Sequence, residues 1–269
     1  MIRRAWAALA CVLALPCAAD DLRLGATHTL EDSGVLPVLL EAFTKATGIK
    51  VRPLVAGTGQ VMRYAENGDV DIVFTHSRRD EEQLIQRGIG LARADVMWND
   101  FVIAGPSADP ARVRGERDAS AALRRIRAAG AKFISRGDDS GTHKKELDLW
   151  TAGGGLVSWP GYLSSGQGAG RTLMMAHELD AYDLVDRATL GQLSRRFPLT
   201  ILVEHDPRLL NEYGVTTLKP TTARPVRARE ADAFARWITS DAARSVIMAY
   251  RVEGERAFYL PGEARAGAR

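Results

Sequence analysis

Short apolar runs alternate with helix-like segments along the first third of the chain. The apolar runs that fit buried strands are residues 22–26, 49–55 and 72–75. Between the first two, apolar residues recur at helical spacing from 35 to 43, and Gly48 is suited to end that helix. A further helix is predicted from Asp80 to about Gly88. This alternation of strands and helices predicts a mainly parallel sheet with helices on its faces.

The rest of the chain continues the alternation. Predicted strands are 98–105, 181–185, 199–203 and 213–218, and predicted helices are 119–129, 173–178, 230–239 and 241–250. The length suits two α/β lobes, with 101–105 and 213–218 as the two strands that cross between them. The predicted boundaries are a first lobe of residues 20–101 plus 214–262, a second lobe of 102–213 and a disordered tail of 263–269.

The N-terminus has the pattern of an export signal. Arg3 and Arg4 precede an apolar run over 5–15, and small residues then lead to Ala19, after which we expect cleavage. The alternative, a membrane anchor, needs about 20 apolar residues, and this run is shorter. Cys17 follows Pro16 rather than a small residue, which disfavours a lipid-anchored signal.

Composition narrows the class of protein further. With 46% hydrophobic and 26% charged residues, the chain has an ordinary globular composition. Both cysteines, Cys11 and Cys17, lie in the predicted signal, so the mature chain has no thiol, disulfide or thiolate metal site. Without the signal, 34 Lys and Arg face 33 Asp and Glu, and nothing in this balance suggests a nucleic-acid partner.

Several strand-to-helix turns are short, polar and rich in Gly, Ser or Thr. They are residues 27–29, 57–60, 136–142 and 164–170. In the turn 136–142, an apolar strand leads to a helix start at Asp139 or Ser140, with Arg136 beside it. Free N–H groups, the helix dipole and a forked cation together fit an anion. Each turn alone is equally explained by ordinary helix capping, but several turns at strand ends favour an anion cleft.

The sequence fits the motifs of an enzyme or a metal-binding protein less well. Ser140 lies near His143, but the Gly-x-Ser-x-Gly elbow of serine hydrolases is absent. The five histidines are scattered without a metal-ligand spacing, and we expect His76 and His205 in loops or at the surface. Neither a P-loop nor a Gly-x-Gly-x-x-Gly dinucleotide motif occurs. An exported hydrolase or metal-binding protein remains the remote alternative.

The chain resembles the tungstate-binding proteins of ABC transporters over nearly its whole mature length. The most specific match is the run SRGDDSGTHKKEL at residues 135–147. Supporting matches are GTGQ at 57–60, GDVD at 68–71, NDFVI at 99–103, GQG at 166–168 and NEYGV at 211–215.

The resemblance implies a type II periplasmic binding protein, with two α/β lobes joined by two crossing strands and an oxyanion in the cleft between them. It implies a periplasmic, monomeric protein without a cofactor, which delivers tungstate to a membrane permease driven by a separate ATPase. Molybdate or another tetrahedral oxyanion is the alternative ligand. The ligand-binding residues implied are Thr27, Thr29, Arg136, Ser140, Gly141 and Thr142, with Thr58, Gly59, Gln167 and Gly168 as additions. His28 is a further candidate because it lies between Thr27 and Thr29 in the first turn.

One turn departs from the family's pattern. The family has a run of Thr and Ser where this chain reads Ala26-Thr27-His28-Thr29-Leu30, so two hydroxyls are missing and His28 takes one of their places. If His28 points into the cleft, its ring nitrogen is a donor and its charge makes affinity pH-dependent. If His28 points outward, nothing changes. The departure bears on selectivity more than on function.

Overall fold

The structure of the protein is a computed structural model that describes residues 21–263. The predicted signal peptide, residues 1–19, lies outside the described residues, as does the predicted tail from 264 to 269. Glu263, where that predicted tail begins, accepts a hydrogen bond from the Leu260 N–H at 2.7 Å.

Within residues 21–263, nine strands form a continuous sheet in the order β2-β1-β3-β9-β4-β7-β5-β6, and β8 pairs with β4 beside this path. A separate hairpin is formed by β10 and β11. The strands are β1 (Leu22–Thr27), β2 (Val51–Ala56), β3 (Ile72–Thr75), β4 (Gly90–Gly105), β5 (Phe133–Ser135), β6 (Tyr162–Ser164), β7 (Tyr182–Asp186), β8 (Thr200–Val203), β9 (Leu210–Leu218), β10 (Arg251–Val252) and β11 (Glu255–Arg256).

Helices follow most of the strands. They are α1 (His28–Asp32), α2 (Val35–Thr47), α3 (Thr58–Asn67), α4 (Arg78–Gln86), α5 (Ala119–Ala128), α6 (Gly141–Ala152), α7 (Ala169–Glu178), α8 (Arg187–Leu193), α9 (Ala228–Ile238) and α10 (Asp241–Ala249), with a short 3-10 helix at Pro207–Leu209. We call first lobe the elements β1–β3, α1–α4, α9 and α10. We call second lobe the elements β5–β8 and α5–α8.

Two long antiparallel strands join the lobes. β1 pairs in parallel with β2 and β3, and β3 then pairs antiparallel with β9. β9 pairs along β4 from Gly90 to Asp100, and β4 continues into the second lobe, where Phe101–Ala104 pair with β7. β7 and β6 flank β5 in parallel. Helices and loops bury apolar clusters against each half of the sheet, around Phe43 and Phe74 in the first lobe and around Phe133 and Trp150 in the second.

The predicted fold class is confirmed, with differences at individual elements. β4 begins at Gly90 rather than near Trp98, because Arg93 and Asp95 alternate with apolar residues and Arg93 is buried by pairing with Glu81. The pattern also missed α8, β6 and the hairpin of β10 and β11. These pieces are only two to seven residues long, too short for a periodic signal. The exact lobe boundaries remain a prediction.

No helix among residues 21–263 is long and apolar enough to cross a membrane.

The core of the first lobe gives a direct test of the fold. Leu24 in β1 is 0% exposed and belongs to the main apolar cluster, whereas Leu91 in β4 is 54% exposed. We expect Leu24→Ala to lower the free energy of unfolding by about 2–5 kcal/mol, since it removes buried methyl groups and leaves a cavity. Leu91→Ala is the matched control and is expected to change it by less than about 0.5 kcal/mol. Urea unfolding measures both, and equal effects would contradict the buried position of β1.

Candidate functional site

A cleft of ≈ 520 Å³ opens where helix starts of the two lobes face each other. Its first-lobe wall includes His28, Asp32 and Gly57, and its second-lobe wall includes Asp138, Gln167, Gly168 and Arg171. Strands of both lobes end at this cleft, which is the expected place for a ligand in an open α/β sheet. The predicted polar turns therefore do converge.

The turn between β5 and α6 forms the centre of the second-lobe wall. Ser140 is the N-cap of α6, and its Oγ accepts from the His143 N–H at 3.2 Å. Gly137 has φ of +57°, and a Cβ there would lie 1.7 Å from Ser164 Oγ, so a side chain is excluded. The tight turn directs the first N–H groups of α6 toward the first lobe.

Glu146 holds α6 in place behind this turn. Its carboxylate accepts from Ser135 Oγ at 2.6 Å, Tyr162 OH at 2.7 Å and Trp150 Nε1 at 3.1 Å. Burial raises the pKa of Glu146, and these donors offset part of that effect. The helix start is thus fixed to β5 and β6 by a buried group that is itself fully partnered.

Arg136 lies at the end of β5 and is 2% exposed. Its Nε donates to the Gln167 carbonyl at 2.7 Å, and its Nη2 donates to Asp138. Burial alone would raise the pKa of Asp138, but the Arg136 guanidinium and hydrogen bonds from Ser140 outweigh it and hold the pKa low. The guanidinium is therefore oriented by two partners, while its Nη1 is buried without a hydrogen-bond partner among residues 21–263.

Thr142 adds a second buried donor of the same kind. It lies in the first turn of α6 and is 2% exposed. Its Oγ1 also lacks a hydrogen-bond partner within the described part of the chain. Buried polar groups are nearly always paired, so these two unpaired donors near one helix start are candidate partners for an acceptor of a ligand.

The turn between β1 and α1 contributes three of the predicted residues of the first lobe. Thr27 ends β1 and Thr29 lies in α1, both buried, with their Oγ1 atoms 3.1 Å apart. His28 begins α1 and lines the cleft. A Cβ built on Gly168 would lie 3.2 Å from His28 Cγ, so the imidazole packs against the start of α7. The ring therefore faces the cleft, which answers the question of orientation that the sequence left open.

The start of α3 meets the start of α6 directly. Thr58 Oγ1 accepts from the Gly141 N–H at 3.0 Å, and the Gly59 N–H donates to the Asp139 carbonyl at 3.3 Å. A Cβ on Gly59 would lie 2.0 Å from Asp139 Oδ2, so a larger residue there would require the Asp139 carboxylate to move. Thr58 thus contacts Gly141, and Gly59 contacts Asp139, from the opposite lobe.

A residue of the first lobe also contacts the start of α7. Gly168 is its N-cap and provides no side chain to accept a hydrogen bond. The Gly170 N–H instead donates to Asp32 Oδ2 at 2.9 Å. Gln167 is exposed and contributes its carbonyl to Arg136. Of the eleven predicted residues, His28, Gln167 and Gly168 line this cleft, and Thr58 meets Gly141 where the lobes touch. The roles of all eleven toward a ligand remain predictions.

A buried polar chain runs beneath the cleft and across both joining strands. His76 Nδ1 lies 2.8 Å from Asn211 Oδ1, and Asn211 Nδ2 donates to Asn99 Oδ1 at 2.8 Å. Asn99 Nδ2 donates in turn to Asp186 Oδ1 at 3.1 Å in the second lobe. Burial raises the pKa of Asp186 to about 6 and lowers that of His76 to about 4.

His76 lies in the loop between β3 and α4, as one of the two expectations had it, but it is not at the surface. It follows β3 and is buried, and a Cβ on Gly141 would lie 2.8 Å from its Cε1. The centroid of its ring also lies 5.3 Å from the centroid of the Tyr213 ring. The sequence could have indicated this burial, because His76 directly follows the carboxyl end of a fully buried strand, as the polar turns do. His205, by contrast, is exposed, as expected.

The described residues contain no group of three or more His, Cys, Asp or Glu that could hold a metal ion. Around the cleft lie helix N-termini, hydroxyls and the fixed Arg136 guanidinium, together with Arg171 and the carboxylates of Glu31, Asp32 and Asp138. Asp138 already accepts from Arg136 and Asp32 from the Gly170 N–H, so the remaining donors suit an anion.

The two lobes, the two joining strands and the cleft between them define a periplasmic binding protein. A family model described as a PBP superfamily domain matches residues 17–242. The tungstate-binding protein TupA of Peptoclostridium acidaminophilum is 42% identical over 238 residues, which cover 88% of this chain and 83% of that protein.

Solved structures agree with this assignment. The tungstate ABC transporter structure from Geobacter sulfurreducens gives a TM-score of 0.79 at 40% identity, covering 86% of this chain and 99% of that one. Tungstate-binding protein TupA from Desulfovibrio alaskensis G20 gives 0.73 at 38% identity, covering 91% and 100%. The chain belongs to the TupA family, and the resemblance seen in the sequence is confirmed.

The buried histidine gives a prediction about pH. Because the pKa of His76 falls from 6.5 to about 4 on folding, the unfolded chain binds more protons between these values. The free energy of unfolding therefore drops as pH falls through this window, by roughly 2 kcal/mol between pH 7.5 and 4.5 for this group. In His76→Asn the new side chain keeps a donor toward Asn211 but does not titrate. Urea unfolding at the two pH values should therefore show that this contribution to the drop in the free energy of unfolding is gone.

His205→Asn is the matched control, since His205 is exposed and lies outside the polar chain. It should leave the pH dependence as in the wild type. An unchanged pH dependence in His76→Asn would contradict a neutral, buried His76.

Proposed function

We propose that the protein is the substrate-binding component of an ABC transporter, which captures a tetrahedral oxyanion in the interlobe cleft. The observation that supports this most is the pair of buried, unpartnered donors, Arg136 Nη1 and Thr142 Oγ1, at the start of α6. An oxyanion would give each an acceptor, and charge-assisted hydrogen bonds of this kind are strong. The N–H groups and dipole of α6 add to the attraction.

Tungstate is the oxyanion we propose first, with molybdate as the alternative. The relatives support tungstate as the ligand, because they are tungstate-binding proteins. The bound anion would lie between Arg136, Ser140, Gly141 and Thr142 on one side and Thr27 and Thr29 on the other. His28, Thr58, Gly59, Gln167 and Gly168 would complete the walls.

Delivery follows from the same class of protein. We propose that the chain is exported to the periplasm after cleavage behind Ala19, acts as a monomer and passes its anion to a membrane permease with a separate ATPase. The lobes would open and close about β4 and β9, which are the two strands that connect them. No catalytic step is assigned to any residue.

Substitution of Thr142 separates ligand binding from stability. Thr142→Val removes an unpaired buried hydroxyl, so we expect the ligand-free protein to be as stable or slightly more stable. The same change removes a donor to the anion and should weaken tungstate binding by about tenfold or more. Isothermal titration calorimetry and urea unfolding measure the two effects.

Thr216→Val is the matched control, since Thr216 Oγ1 is also buried without a partner within residues 21–263 but lies on β9, opposite Val73 and Arg93 in the sheet and away from the start of α6. It should have a similar effect on stability and none on affinity. Equal tungstate affinity in Thr142→Val and the wild type would remove Thr142 from the site.

Substitution of Arg136 tests whether its positive charge is required for oxyanion binding. Arg136→Ala should abolish oxyanion binding, because it removes the forked cation that fits a tetrahedral anion. Arg136→Lys keeps one positive charge and should bind more weakly than the wild type. Competition calorimetry with tungstate, molybdate and sulfate on the wild type ranks the ligands. Unchanged oxyanion affinity in Arg136→Ala, with the circular dichroism of a folded protein, would overturn the role of Arg136.

A further inference from the structure

The first lobe caps a helix of the second lobe with a carboxylate. Asp32 is the last residue of α1, and its Oδ2 accepts from the Gly170 N–H at 2.9 Å. Gly170 is the second residue of α7, the position whose N–H an N-cap side chain ordinarily satisfies. The N-cap of α7 is Gly168, which has no side chain for this purpose. Asp32 therefore performs from the opposite lobe the capping that α7 lacks within its own.

The position of Asp32 is fixed by the rest of α1. Thr29 and Leu30 are buried, and the Ser33 carbonyl next to Asp32 accepts from Tyr250 OH at 2.7 Å. At the other end of α1, the His28 ring packs on Gly168. Both ends of this short helix thus contact the start of α7. The carboxylate is held where it meets the helix only when the lobes are close together.

The Asp32 contact differs in charge from the two neutral contacts between the starts of α3 and α6, and it adds to a charged contact between the lobes in which Lys144 Nζ donates to Asp80 Oδ2 at 2.8 Å. Thr58 Oγ1 and the Asp139 carbonyl are neutral acceptors for the Gly141 and Gly59 N–H groups. Asp32 brings a carboxylate to the positive end of a helix dipole, which strengthens the hydrogen bond. A charged cap of this kind therefore stabilises the arrangement of the lobes in which the hydrogen bond forms.

We infer that Asp32 is a positioning residue for lobe closure, which slows the release of the bound anion. This inference rests on the proposed function, since it concerns how the cleft retains its ligand. When the lobes separate, the Gly170 N–H exchanges the carboxylate for water. The contact therefore favours the closed arrangement and, through it, the occupied state. It acts through the lobes and assigns Asp32 no contact with the anion.

The test compares Asp32→Ala with Asp32→Asn. Stopped-flow release of tungstate should be about fivefold faster in Asp32→Ala, which is the effect of one lost cap, while the association rate stays close to that of the wild type. Asp32→Asn keeps an oxygen acceptor without the charge and should fall between the two. Small-angle X-ray scattering of the ligand-free proteins should show a larger radius of gyration for Asp32→Ala, and this measurement needs no ligand.

Asp118→Ala is the matched control. Asp118 caps α5 within the second lobe, with its Oδ1 accepting from the Ala121 N–H at 2.8 Å. Its loss should lower the melting temperature but leave tungstate release and the radius of gyration unchanged. This separates lobe closure from a general loss of helix stability.

The outcomes distinguish the two proposals. Faster release or a larger radius in Asp32→Ala, absent from Asp118→Ala, supports the closure role. If Asp32→Ala matches the wild type in both measurements, the inference is overturned. If the wild type binds none of the oxyanions, the proposed function fails, and the scattering comparison alone decides whether Asp32 holds the lobes together.

Discussion

Backbone N–H groups at the start of a helix have no partner inside that helix, and this protein satisfies several of them between its lobes. The starts of α3, α6 and α7 each donate to an acceptor from the opposite lobe, namely Asp139, Thr58 and Asp32. The requirement that such donors be paired therefore fixes how the lobes meet. The same positive helix ends make the cleft suitable for an anion. Closure and ligand affinity thus depend on one kind of group.

The charge around the cleft is balanced rather than strongly positive. Asp138 offsets Arg136, and Asp32 occupies the start of α7. The proposed anion would therefore be attracted chiefly by donors that point in fixed directions, such as Arg136 Nη1 and Thr142 Oγ1. Recognition by fixed donors depends on the size and shape of the anion more than on its total charge. This arrangement suits discrimination among tetrahedral oxyanions that carry the same charge.

The sequence predicted the fold class and the strands with clear apolar runs, such as β1 and β3, because local pattern and burial agree there. It also predicted the polar turns, since Gly, Ser and Thr at the ends of strands have a local meaning. It missed the burial of His76, because that depends on Gly141, which lies 65 residues away in the other lobe. The capping of α7 by Asp32 was missed for the same reason, as no local pattern records a hydrogen bond between lobes. The sequence also places Arg136 beside the start of α6, but the absence of a partner at its Nη1 among residues 21–263 could be seen only in the structure.

The path of the chain has a consequence for folding. β9 lies between β3 and β4 in the sheet, and α9 and α10 bury Phe234 and Ile247 in the core of the first lobe. The lobe that begins first during synthesis is therefore completed only when the last fifth of the chain is present. Its long-range pairings must wait for that segment, which makes its assembly slow compared with local folding. The order of the chain thus delays completion of the first lobe, which would be compatible with the proposed export of the chain before it has folded.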